Sequence, residues 1–252
     1  MTSYSSLAET LQQLAGLRLR DEDGHEQILE LQPPATEPEV HTLEADLPCP
    51  IPGDIRGALR VSKGLANGPL ESFSLVDLEG FGPEDLLPYA YSIAHDGFGN
   101  YWVLDLLPST TTWGPFFYAC HDPPVLAYQA ATIEDFLRDA VALWQAGPRS
   151  PVNVVHEEVV HRIWRENPDL WTPAALRESP DPALRAFAES LPPTALVADL
   201  RQPALGHGFS WGRFGPRTAI QRAGEERIWA LMAPERKPGF WASLFGGRRG
   251  AA

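Results

Sequence analysis

Two strand-like runs, Tyr89 to His95 and Tyr101 to Leu107, are separated only by Asp96-Gly-Phe-Gly-Asn100. Glycines and asparagine between strand-like runs supply the positive φ angles of a tight turn, so this stretch commits the chain to an antiparallel hairpin. Strand-like runs at Glu71 to Leu78, Phe116 to Cys120 and Val125 to Gln129 extend the hairpin into a sheet. The 25 prolines and 21 glycines interrupt every long helix, which excludes a coiled coil or helical bundle.

Helices are expected around the sheet. Ser6-Leu-Ala-Glu9 and Thr36-Glu-Pro-Glu39 have the spacing of capping boxes, in which the first side chain and the fourth satisfy each other's backbone N–H groups. Leu7, Leu11 and Leu14 follow the first, stopping at Gly16. Val40, Leu43 and Leu47 follow the second, stopping at Pro48. Between them, Leu17 to Arg20 and Ile28 to Leu31 form a hairpin around Asp23-Gly24. A helix is predicted over Gly53 to Ser62, and Thr132 caps another that carries Ile133, Phe136, Leu137, Val141 and Trp144.

Gly147-Pro148-Arg-Ser-Pro151 has the composition of a linker, and the charge changes sign across it. Residues 1–145 hold 22 acids and six bases, whereas residues 146–252 hold 11 acids and 14 bases. We expect an acidic α+β domain at 1–146, a smaller α+β domain at 151–235 with helices at Val152 to Arg165 and Pro182 to Ser190, and a basic aromatic tail at 236–252. Short strands are predicted at Ala195 to Arg201, Gly208 to Trp211, Arg217 to Arg222 and Arg227 to Met232. The fold class is thus α+β: an antiparallel sheet with flanking helices, plus a smaller C-terminal α+β unit.

A net charge of −13 repels polyanions and argues against nucleic-acid binding. Two cysteines, Cys49 and Cys120, are too few for a disulfide framework, which suits a cytoplasmic protein. The start of the chain lacks a basic and then apolar leader, and no window approaches a membrane span.

Chemical motifs fail on spacing or context. His156 and His161 are five residues apart, where a zinc helix needs four. Gly208-Phe-Ser210-Trp-Gly212 matches the letters of a hydrolase nucleophile elbow, but Arg213-Phe-Gly-Pro216 cannot open the helix the elbow requires, and His207 is the last histidine. Asp96, Asp105 and Asp122 with His95 and His121 suggest a metal or acid–base cluster less simply than they suggest turns. The sequence therefore assigns no catalytic residue, no metal and no cofactor.

Leu47-Pro48 through Asn67-Gly68, His95-Asp-Gly-Phe-Gly-Asn-Tyr-Trp-Val-Leu-Asp105 and Ala131-Thr-Ile-Glu-Asp-Phe-Leu137 occur in an order that resembles the SUKH superfamily over roughly residues 31–145. The family shows a leucine-proline helix, a hairpin, an aromatic strand and a closing helix. The proline-rich Leu47 to Pro52 departs from its pattern, and residues 150–252 have no counterpart in the minimal domain, so a subfamily with a C-terminal addition is implied. The resemblance implies a non-enzymatic protein-binding module, most often a bacterial immunity protein that neutralises a cognate toxin, frequently a nuclease. An acidic surface would suit a toxin with a basic surface, although acidity also serves solubility. The alternative within the family is an intracellular regulator or scaffold that recruits its partner through the C-terminal tail.

Two segments are candidate contact surfaces. Glu71, Asp77, Glu79, Glu84 and Asp85 surround the aromatic Phe81, an arrangement with the anatomy of a charged rim about an anchor and equally that of a solvated loop. In the tail, Phe240, Trp241, Leu244 and Phe245 recur at helical spacing between basic residues. That pattern suits docking in a partner's groove, folding back on the chain itself, or weak contact with an anionic membrane, and it is too short for stable anchoring.

Overall fold

A computed structural model describes residues 6–21, 23–81 and 86–234. Helix α1 (Leu7–Leu14) begins at the expected capping box: Ser6 Oγ accepts the Glu9 N–H while the Glu9 carboxylate accepts the Ser6 N–H. Its buried stripe is Leu7, Leu11 and Leu14. Strands β1 (Arg18–Arg20) and β2 (Glu26–Ile28) form the small hairpin around Gly24. A further strand, β3 (Glu30–Leu31), continues from it.

Helix α2 (Glu37–Asp46) repeats the box with Thr36 and Glu39. Glu39 also accepts the Lys63 ammonium at 2.7 Å, and these bonds, the lysine's foremost, hold its carboxyl down at about 2. Helix α3 (Gly53–Leu59) stops sooner than predicted, because Gly64–Asn67 is a strand, β4, and not a helix end. Gly64 lies so close to its neighbour that an added Cβ would meet the Phe73 carbonyl oxygen. Only a glycine permits that approach.

Strands β5 (Ser72–Ser74), β6 (Glu79–Gly80), β7 (Ala90–His95), β8 (Tyr101–Asp105), β9 (Phe116–His121) and β10 (Pro124–Ala130) follow, and helix α4 (Ile133–Ala146) closes this part from its Thr132 cap. The hairpin read first in the sequence is β7–β8, with His95 opposite Tyr101. The long strand expected over Glu71 to Leu78 is reduced to Ser72–Ser74, since Ser74 Oγ accepts the Asp77 N–H and turns the chain.

The break expected at Gly147 to Pro151 is a tight corner and not a linker. Ser150 is fully buried and caps the next helix by accepting the Asn153 N–H, with Pro151 at its first position. The helical run that follows has α-helical ends, α5 (Pro151–Asn153) and α6 (Val160–Glu166), around a π-helical segment at Val154–Val159. Its Val152, Val155, Val159, Val160 and Ile163 are buried in the same core as Leu7, Ile55 and Phe136. Beyond it lie β11 (Leu170–Trp171), α7 (Pro173–Arg177), α8 (Pro182–Glu189), β12 (Leu196–Asp199), β13 (Gly208–Ser210), β14 (Ala219–Arg222) and β15 (Ile228–Met232).

The topology joins the two parts. The large antiparallel sheet runs β13-β10-β9-β8-β7-β5-β4-β3, with β6 also on β7, so a strand from the second part forms its edge. The remaining strands form a four-stranded sheet, β11-β12-β15-β14. Side chains sort by strand periodicity. On the large sheet Trp102, Leu104, Phe116 and Tyr118 face the helical core, where Phe136 stacks on Phe116 at 5.0 Å. Val103, Phe117, Leu126 and Phe209 face the second sheet and meet its Ala198, Trp229 and Leu231. The opposite face of that sheet, Val197, Ile228 and Ala230, packs on Leu176, Leu184 and Phe187 of α7 and α8. The result is four layers in the order helices, sheet, sheet, helices. The two parts share a buried interface and do not form the separate domains the sequence suggests.

One buried contact in the helical layer carries a pH dependence. Asp139 on α4 accepts from Gln129 Nε2 at 3.3 Å, while Gln129 Oε1 is buried without a partner among the described residues. Burial pushes the Asp139 carboxyl up to about 6, and the Gln129 hydrogen bond offsets this only in part. A carboxyl whose folded-state pKa is raised binds its proton more tightly in the folded chain, so stability falls as pH rises from about 4 through 6. Asp139→Asn removes the charge and can donate to Gln129 Oε1. It should raise Tm by about 2–4 °C at pH 7.5 and leave it nearly unchanged at pH 4, as thermal melts at the two values would show. A Tm difference between Asp139→Asn and wild type that does not grow from pH 4 to pH 7.5 would contradict the assignment.

Candidate partner-binding surface

The Asp96–Asn100 turn is held rigid from within. Asp96 Oδ1 accepts the N–H groups of Phe98 at 2.8 Å and Asn100 at 3.2 Å, and its Oδ2 accepts Asn100 Nδ2 at 2.6 Å. Burial works to raise the Asp96 pKa, but these hydrogen bonds outweigh it and hold the carboxyl below its ordinary value. Gly97 and Gly99 take φ of 79° and 89°, and a Cβ on Gly99 would press on the His121 ring at 3.3 Å. Asn100 Oδ1 accepts the His121 N–H at 3.1 Å, tying the turn to β9. The turn thus presents Phe98 to solvent, 80% exposed.

A cleft opens on each side of this turn. The first, about 440 Å³, lies over the face of β5 and β7 that the second sheet leaves uncovered, and Ser72, Ser74, Ser92, His95, Asp77 and Glu79 line it. The second, about 460 Å³, lies on the helical side, bounded by Glu71, Asp96, Phe98, Trp102, His156 and Glu157. Neither contains a lysine or arginine among the described residues. His156 belongs to the π-helical segment, where its ring meets Tyr118 edge-on at 5.5 Å and its Nδ1 lies 3.1 Å from Glu157. Trp102 is 3% exposed and its Nε1 has no hydrogen-bond partner among the described residues, a buried donor on the cleft wall. Such a donor favours a ligand that brings an acceptor.

Of the acidic residues singled out in the sequence, Glu71, Asp77 and Glu79 are exposed and line these two clefts. Phe81 does not project as the expected anchor: it is half-buried against Tyr101 at 5.9 Å and packs on the core between the sheets. Glu84 and Asp85 lie outside the described residues, as do Phe240, Trp241, Leu244 and Phe245. Phe98 went unselected because the sequence shows it only as one letter of a turn. Its flanking glycines signal the turn but not the exposure.

The rejected motifs have structural explanations. Gly208 brings β13 against β10, where a Cβ would meet the Leu126 carbonyl oxygen, and a Cβ on Gly212 would meet the Pro124 ring. Ser210 between them is fully buried. His121 is bound to Asn100, and Asp105 to two arginines. Among the described residues no group of three or more His, Cys, Asp or Glu is placed to hold a metal ion. None of their helices is long and apolar enough to cross a membrane.

The comparison with curated proteins returned no match, and neither did that with solved structures. Residues 34–139 match the model of the SMI1 / KNR4 family (SUKH-1), a segment that runs from the α2 cap through β4–β10 to the middle of α4. The helices, the antiparallel sheet and this match agree, and the chain contains a SUKH-superfamily domain.

Proposed function

We propose that the chain is a non-enzymatic immunity protein that binds a toxin with a basic surface, through the rigid Phe98 turn and its two acidic clefts. The observation that carries this reading is the pairing of an 80%-exposed aromatic with five carboxylates, Glu71, Asp77, Glu79, Asp96 and Glu157, on the cleft walls beside it. A fixed aromatic anchor loses little conformational freedom on binding, and the surrounding charge steers a cationic partner and rejects an anionic one. A partner's lysine or arginine fits the polar first cleft.

The test is co-expression with the toxin encoded beside this gene, which should yield a stable pair and a protected cell. Glu71→Lys with Glu79→Lys reverses two exposed charges, one on each cleft. The association rate at low salt should fall by about tenfold or more and its salt dependence should weaken, with Tm unchanged. Stopped-flow mixing at two salt concentrations measures both. An unchanged rate would place the docking surface elsewhere, and failure to protect against any neighbouring toxin would remove the immunity reading.

A further inference from the structure

A third cleft, of about 510 Å³, lies far from the acidic turn in sequence and differs from it in chemistry. Trp164 of α6, Trp211 after β13, Pro124, Pro216 and Ile220 form its walls, and among the described residues no charged one lines it. Trp164 is 39% exposed. An open apolar cleft between two tryptophans is suited to receive aromatic or aliphatic side chains.

The path of the chain supplies an occupant. β15 ends at Met232, which pairs with Ala219, and Thr218, the preceding residue, lines the cleft. Neighbouring strands are about 5 Å apart, so the chain leaves the sheet beside the cleft. The seven residues from Ala233 to Gly239 then span at most about 25 Å when extended. The next residues are the most apolar cluster of the terminal segment, Phe240, Trp241, Leu244 and Phe245, flanked by Arg236, Lys237, Arg248 and Arg249.

We infer that the C-terminal segment of this chain seats its aromatic residues in the Trp164–Trp211 cleft of the same molecule. The tether makes this contact intramolecular, so it is favoured over capture of a separate partner by its high effective concentration. The tail then completes the fold's apolar surface, and it is not the arm that recruits a second protein.

The full chain carrying Trp241→p-benzoylphenylalanine, irradiated at micromolar concentration, tests this. The expected product is a cross-linked monomer, with the adduct mapping by mass spectrometry to Trp164 or to the segment Trp211–Ile220. Adding Trp164→Glu, at a position exposed enough to tolerate the charge, should lower the yield at least fivefold without changing Tm, whereas Trp164→Phe should keep it. Adducts mapping elsewhere, adducts mainly between two chains, or adducts to lipid when anionic phospholipid vesicles are present would each overturn the inference. So would an unchanged yield in Trp164→Glu. Toxin protection is read separately, so loss of one conclusion leaves the other standing.

Discussion

Replacing Asp105 with asparagine is expected to cost about 3–5 kcal/mol of folding stability, which corresponds to a drop in Tm on the order of 10 °C. Asp105 sits at the end of β8 with no exposed surface. Its two oxygens accept from Arg222 Nη1 at 2.9 Å and Nη2 at 2.7 Å, and Oδ2 accepts from Arg227 Nε at 3.1 Å. Arg222 is itself buried at its side chain, with the guanidinium 5.1 Å from the centre of the Trp229 ring. The carboxylate belongs to the large sheet and both arginines to the β14–β15 hairpin of the second, so one residue clamps the two sheets. Removing it leaves a buried cation without its counter-charge, the costly direction for such a pair. Arg227, partly exposed, is worth far less, and Arg227→Ala should cost about 1 kcal/mol. Asp105→Asn combined with Arg222→Met removes charge and counter-charge together and should recover part of the loss. Urea unfolding of the wild type and these three variants measures all of this. A loss under 1 kcal/mol for Asp105→Asn would mean that apolar packing alone joins the sheets.

That clamp joins residues 117 positions apart, which explains why the sequence did not reveal it. Local signals were legible because local physics decides them. The capping boxes at Ser6 and Thr36, the glycine turn at Asp96–Asn100 and the Thr132 cap each satisfy backbone groups within a few residues. The division at Gly147–Pro151 misled for a related reason, since Gly, Pro and Ser serve a helix start as well as they serve a linker. A signal against two separate domains did exist in β9, Phe-Phe-Tyr-Ala-Cys, where apolar residues run without alternation. A strand of that kind is buried on both faces, and a sheet with helices on one side needs a second layer to cover the other. Residues 196–231 supply it. In the proposed binding surface, the acids Glu71, Asp77 and Glu79 were legible as charge, but the choice between Phe81 and Phe98 depends on which ring finds a neighbour. Tyr101 takes Phe81. Among the described residues nothing comparable covers Phe98.

Phe98→Ala should therefore weaken binding of the partner by at least about 2 kcal/mol, roughly thirtyfold in Kd, while changing folding stability by less than about 0.5 kcal/mol. The two effects separate because the side chain and the turn beneath it do different work. With 80% of its surface in water, the Phe98 ring contributes little to the folded core. The turn depends instead on the Phe98 and Asn100 N–H groups bonded to Asp96, on the positive φ of Gly97 and Gly99, and on Asn100 bound to β9, none of which needs the ring. Phe98→Tyr keeps the aromatic body and should bind within a few fold of wild type. Gly99→Ala is the opposite case: it strains a left-handed position and crowds the His121 ring, so it should lower both Tm and affinity. Calorimetric titration against the partner, with a thermal melt of each variant, distinguishes the two patterns. An affinity unaffected by Phe98→Ala would leave the carboxylates without an anchor and return them to the role of a solvated face. An affinity loss accompanied by a fall in Tm would assign the ring to the fold, for which its exposure gives no physical reason.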